Sequence, residues 1–203
     1  MATKVTGELY ESITGQLFEI GRQLRQKNGY PFDPETLKRH IQAAIEGRFD
    51  QASKRITRLI VNEPLILDAV NGSETLVNAT DLFTYIDSDS EADEPGQPTE
   101  KTPVVVREMC NDASFAQMFG ELNPDVGKLC FSQHQIKNFV KKHREHLRTI
   151  GYATFFLFKS RGNFFVADVS AYSNDELGVR VARFEDADVW CAKYRLRLVV
   201  PQL

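Results

Sequence analysis

Cys130, His134, His143 and His146, with Cys110 twenty positions upstream, form the densest group of metal-ligating residue types in the chain. Zinc would need four such side chains to converge on one point. On a helix advancing about 100° per residue, His134 and His143 project to opposite sides, so they cannot share an ion. His143 and His146 alone would still lack two ligands. His143 falls on the apolar side of its segment, where a hydrogen-bonded buried imidazole accounts for it. No metal ligand is assigned from the sequence.

A cysteine nucleophile needs a thiolate beside a base. Cys130 precedes a helix start, whose dipole lowers a thiol pKa, and histidines follow it. Its neighbours Leu129 and Phe131 instead point to a buried, inert thiol. Phosphate loops, dinucleotide fingerprints, Gly-x-Ser-x-Gly and His-Glu-x-x-His are absent from the chain. The acids Asp87, Asp89, Glu91 and Asp93 alternate as in a calcium loop, but Ala92 and Pro98 stand where an EF-hand requires Gly and Glu. No catalytic residue and no cofactor is expected.

Basic residues are the more informative set. Lys128 to Arg161 holds eight of them against the single acid Glu145, a local +7 in a chain of net charge −3, so the remainder carries −10. Lys137, Lys141, Arg144 and Arg148 recur at helical spacing beside the apolar side of that segment. Lys193, Arg195 and Arg197 alternate with Trp190, Ala192, Tyr194, Leu196 and Leu198, as on the two faces of a strand. These seven basic residues are candidates for nucleic-acid binding, since phosphate contacts supply most non-specific affinity. Two observations weigh against it: Lys and Arg commonly flank apolar faces, and the alternation turns Trp190 and Tyr194 inward, away from stacked bases.

These residues must be positioned by the elements around them. With 42% hydrophobic and 26% charged residues, 203 residues are enough for a self-sufficient core, which excludes collagen-like and wholly disordered classes. No apolar run is long enough for a membrane helix, and the first ten residues lack a signal-peptide pattern, so no membrane partner and a cytoplasmic location are expected. Three cysteines agree with a reducing compartment.

Apolar periodicity predicts helices over 7–27 and 34–46, the first stopped by Asn28-Gly29, the second started by Asp33-Pro34 and ended at Gly47, with Tyr30, Pro31 and Phe32 stapling a helical hairpin. Gly15 and Gly21 inside the first helix suggest close approach by another backbone. A strand follows at 55–61, then a short helix at 80–86. Six acids, two prolines and no basic residue between Asp87 and Glu100 read as a solvated linker. The expected organisation is a mainly helical region 1–86, an acidic linker 87–103 and an α+β domain 104–203.

Within that domain Val104 starts a strand and Asp112 caps a short helix through Phe119, ended by Gly120. A Ser132-x-x-Gln135 capping box and Gly151 bound a helix over 133–149. Strands at 153–159, 163–169, 177–184 and 189–200, with turns at 160–163 and 173–175, give a four-stranded antiparallel sheet. The first two strands are apolar on both sides, so both faces must be covered: one by helix 133–149, the other by the N-terminal helices or a second copy of the chain.

The stretch Gly15-Gln16-Leu17-Phe18-Glu19-Ile20-Gly21-Arg22-Gln23-Leu24-Arg25, with His143-Arg144, Gly151 to Lys159 and Phe164-Phe165-Val166-Ala167, resembles a set of small hypothetical bacterial proteins. The resemblance implies a bacterial origin and carries no activity. Packing signals without a convergent catalytic set point to a non-catalytic binding or regulatory module acting through protein contacts or self-association, with nucleic-acid binding as the alternative.

Overall fold

A computed structural model describes residues 7–25, 34–46, 55–61, 63–149, 152–172 and 176–203. The chain divides into two compact units, Met1–Lys54 and Arg55–Leu203. In the first, helix α1 spans Gly7–Leu24 and helix α2 spans Pro34–Ile45. The stapling residues 30–32, the cap at Asp33 and the stop signals at 28–29 and 47 lie outside the described residues, as do Gly151 and the turn at 173–175. A Cβ added at Gly15 or Gly21 would meet nothing within 4 Å, so these glycines are not explained by a close backbone approach.

The second unit is a mixed α+β fold. Its strands are β1 (Thr57–Leu59), β2 (Leu65–Leu67), β3 (Tyr85–Asp87), β4 (Thr102–Met109), β5 (Ala153–Ser160), β6 (Asn163–Ala171), β7 (Leu177–Arg183) and β8 (Arg197–Pro201). They form one eight-stranded sheet in the order β1-β4-β8-β5-β6-β7-β3, with β2 also pairing β4. This replaces the expected four-stranded antiparallel sheet. The hairpins β5–β6 and β6–β7 are antiparallel as read, but β8 runs parallel to β5 and inserts between it and β4, and β3 adds in parallel to β7. Strand order depends on pairings distant in sequence, which period-two patterning does not encode.

Three local readings change with it. Residues 80–86 form a turn and then β3, because Thr84 donates its N–H to the Leu177 carbonyl and the chain joins the sheet edge. Residues 87–103 lie inside the second unit. Arg183 bonds Asp89 and Glu91, Arg161 bonds Asp93, and the Ser160 hydroxyl donates to the Glu91 carbonyl. Residues 189–200 are a strand only from Arg197; Ala192–Tyr194 is a 3-10 turn and Arg195 has a left-handed φ of 51°.

Helix α3 (Phe115–Leu122) starts at Ser114, not Asp112: Ser114 and Gln117 form a reciprocal capping box, while Asp112 accepts the Ala192 N–H. It also runs through Gly120. Helix α4 (Gln133–Lys142) has the expected Ser132–Gln135 capping box but stops seven residues early. Beyond it, Arg144–His146 form a 3-10 turn, the Thr154 hydroxyl accepts the Arg148 N–H, and Arg197 donates to the His146 and Leu147 carbonyls. These distant partners satisfy the backbone in place of further helical bonds.

The two-sided apolar strands do carry two cores. On one face, Ile136, Phe139 and Val140 of α4 pack on Phe156, Phe158, Phe165 and Val199. On the other, Phe115, Met118 and Phe119 of α3 with Leu129 pack on Phe155, Leu157, Val166 and Leu198. Both covers come from the same unit, so the apolar strands require neither the N-terminal helices nor a second copy. The burial is also uneven. Helix α3 covers Phe155 and, through Phe119, the Phe164 and Phe184 end of β6 and β7, whereas no described residue of α3 lines the hollows at the Ser170 and Gly178 end of the same face.

Candidate binding groove

Register decides what occupies the uncovered part. Phe155 pairs with Asp168, and Asp168 with Arg180. One row further, Ala153 pairs with Ser170, Ser170 with Gly178, and Gly178 with Tyr85. Directly paired residues share a face, so Asp168, Ser170, Gly178 and Arg180 continue the plane that α3 covers elsewhere. They floor an open groove of two adjoining hollows, about 300 and 180 Å³, that share Asp168 and Ser170.

Aromatic side chains make the walls. The larger hollow is bounded by Tyr152, Trp190 and Tyr194, with Val189, Cys191 and Leu196, and the smaller by Tyr85 and Tyr172 beside Arg180. The Tyr172 ring lies so close over Gly178 that an added Cβ there would approach it to 3.3 Å. Trp190 is fixed from behind by Phe115 and Phe155, at 5.4 and 4.8 Å between ring centroids, and by paired backbone bonds with Ala113. Its indole N–H is buried with no hydrogen-bond partner among the described residues.

Asp168 is the unusual member. Only 8% of it is exposed, and its polar contacts are long: 3.3 Å from Arg180 Nη2 and 3.5 Å from Ser170 Oγ. Burial pushes its pKa up, and the nearby Arg180 offsets this only in part. Arg180 is half exposed, with its guanidinium 5.5 Å from the Trp190 ring centroid. Asp87 stands in register with Arg180 on the other side, at β3.

The seven basic residues expected to act together fall into two places. Lys137 is 8% exposed and ion-paired with Glu74 and Asp81, and Lys141 pairs with Asp81. The two lysines hold the Asp81 carboxyl down to about 2. Arg144 and Arg148 lie beyond the end of α4, so no four-residue helical stripe exists. Arg148 instead meets the C-terminal segment: its Nε donates to the Tyr194 carbonyl and its guanidinium lies 5.1 Å from the Tyr152 centroid. Lys193 lies 4.8 Å from the Tyr194 centroid, and the two tyrosines stack at 5.2 Å. Arg195 is exposed, and Arg197 is turned onto the backbone carbonyls of His146 and Leu147. The inward orientation expected for Tyr194 does not hold, since the 3-10 turn leaves it 38% exposed.

Among the described residues no three Cys, His, Asp or Glu side chains are grouped to hold a metal. His143 caps α4 half-buried, its ring against Phe139 and its Nε2 3.3 Å from the Ile66 carbonyl, rather than fully buried. Burial pushes the Cys130 thiol up to about 12, opposite to what a nucleophile needs. Asp168 was the residue that patterning passed over: an acid within Phe164-Phe165-Val166-Ala167-Asp168-Val169 was the available signal.

Comparison with family models, with curated proteins and with solved structures finds no match to this chain. No helix among the described residues is long and apolar enough to cross a membrane.

Proposed function

We propose that the chain is a non-catalytic binding module that acts through protein contacts, and that a partner segment docks in the aromatic groove over Asp168 and Ser170. The observation that carries this reading is the uneven cover of the sheet. A face that is sealed by α3 at Phe155 opens one strand further on into hollows of about 300 and 180 Å³ walled by five aromatic rings. Tyrosine and tryptophan supply large contact area at low entropic cost, and they dominate protein interfaces for that reason. A buried acid with long hydrogen bonds is a poor choice for stability, which favours a role in recognition.

Selection of displayed random peptides on the immobilised full chain tests this. Peptides recovered on the wild type are expected to lose binding to Ser170→Phe, which fills the shared floor of both hollows. Peptides that bind both forms equally, or no recovered peptide, would overturn the reading.

Nucleic-acid contact is the second reading, favoured by the cluster of Arg148, Lys193 and Arg195 beside Tyr152 and Tyr194. The cations already lie over both of those rings, and Lys137 and Lys141 are engaged with carboxylates. A gel shift that weakens steeply with salt and is reduced in Lys193→Gln would support it.

A further inference from the structure

The larger hollow is lined by one charged side chain among the described residues, and that side chain is Asp168. From this we infer that the groove selects a cationic side chain, lysine or arginine, projecting from the docked partner. The inference rests on the docking reading and specifies its chemistry.

Three observations carry it. The first is unused acceptor capacity: a carboxylate offers about four lone-pair sites, whereas among the described residues Asp168 has two polar contacts, at 3.3 and 3.5 Å. A buried carboxylate in that condition gains most from a positively charged donor. The second is the wall. Tyr152, Trp190 and Tyr194 bound the same hollow, and each already has a cation of this chain over its ring, Arg148, Arg180 and Lys193 respectively, as the attraction of ring faces for ammonium and guanidinium groups directs. The third is an internal precedent. Arg180, from the neighbouring hollow, already places its guanidinium beside Asp168 and within 5.5 Å of the Trp190 centroid, so acid and ring together accept this chemistry.

The surrounding charges are of both signs, with the acids nearer the open rim. Asp87 is in register with Arg180 at the open edge of the groove, so two carboxylates flank one arginine. Asp188 is exposed next to the lining residue Val189. Arg148, Arg180 and Lys193 are the opposing charges among the described residues; each lies over a wall ring, Arg148 is further tied to the Tyr194 carbonyl, and Arg180 to Asp168. An acidic side chain in the larger hollow would instead face Asp168, the one charged group that lines it among the described residues.

The chain's single tryptophan reports on this site directly. Short capped glycine peptides with a central Arg, Lys, norleucine or Glu are titrated against the full-length protein while Trp190 fluorescence is followed. The Arg and Lys peptides are expected to give a saturable change, with Glu and norleucine at least tenfold weaker. Asp168→Asn is expected to weaken the cationic peptides at least tenfold. Arg180→Leu, which removes the internal competitor, is expected to bind them more tightly than wild type. Equal binding of norleucine and Arg peptides would overturn the charge selectivity and leave the docking reading intact. No saturable response to any peptide would overturn the inference, and the display selection would then decide the docking reading separately.

Discussion

Asp168 shows how one residue ties stability to recognition. Burial raises its pKa, so the folded chain holds this proton more tightly than the unfolded chain does. The group therefore opposes folding increasingly as pH rises through the ordinary carboxyl range, and the penalty is complete once pH passes the raised folded value. Asp168→Asn is expected to stabilise the protein at neutral pH by about 1 kcal/mol, with the gain shrinking below about pH 4. Denaturant titrations of both proteins at the two pH values measure this, and equal destabilisation at both would contradict it. Cys130 and Cys110 form a contrast of the same kind. Iodoacetamide at neutral pH is expected to label exposed Cys110 and to spare Cys130, whose thiol is pushed up to about 12, until the protein is denatured. Cys130 itself is half-buried, and its shielding was legible in part from its neighbours Leu129 and Phe131, which are buried. The exposure of Tyr194 was not, because it depends on a 3-10 turn where alternation implied a strand.

Elements whose signals are local could be read from sequence, and those held by distant partners could not. The start of α4 depends on Ser132 and Gln135, three residues apart, and both capping bonds form. Its end depends on Thr154 and Arg197, which take over the backbone of 146–148 from other strands. The acidic segment follows the same rule. Its composition suits a solvated linker, yet Asp89, Glu91 and Asp93 meet Arg183 and Arg161 across the fold. Arg183→Ala is expected to raise amide hydrogen exchange across 89–94, with little change in global stability because its ion pairs are solvent-screened. Unchanged exchange would mean that the segment is held by its backbone bonds alone. Phe156 makes the opposite case: it is fully buried against Phe139 and Phe131, and Phe156→Ala is expected to lose about 3–5 kcal/mol in a denaturant titration.

At the scale of the molecule, the α+β class and the two-sided core were legible because apolar residues on both sides of β5 and β6 require two covers. Strand order was not, since β8 joins β4 to β5 and β3 joins the far edge through contacts that leave no local pattern. The groove sits at one end of that sheet: α3 reaches β6 and β7 at their Phe164 and Phe184 end, and no described residue of α3 lines the hollows over Asp168, Ser170 and Arg180. The account therefore stands on where a partner binds. Amide chemical shifts of the isotope-labelled full chain, recorded with and without a display-selected peptide, test this most directly. The expected result is a set of perturbations at residues 152–153, 168–170, 178–180 and 189–196, absent in Ser170→Phe. Perturbations centred on Lys137 and Lys141 of α4, with the groove residues unmoved, would contradict it.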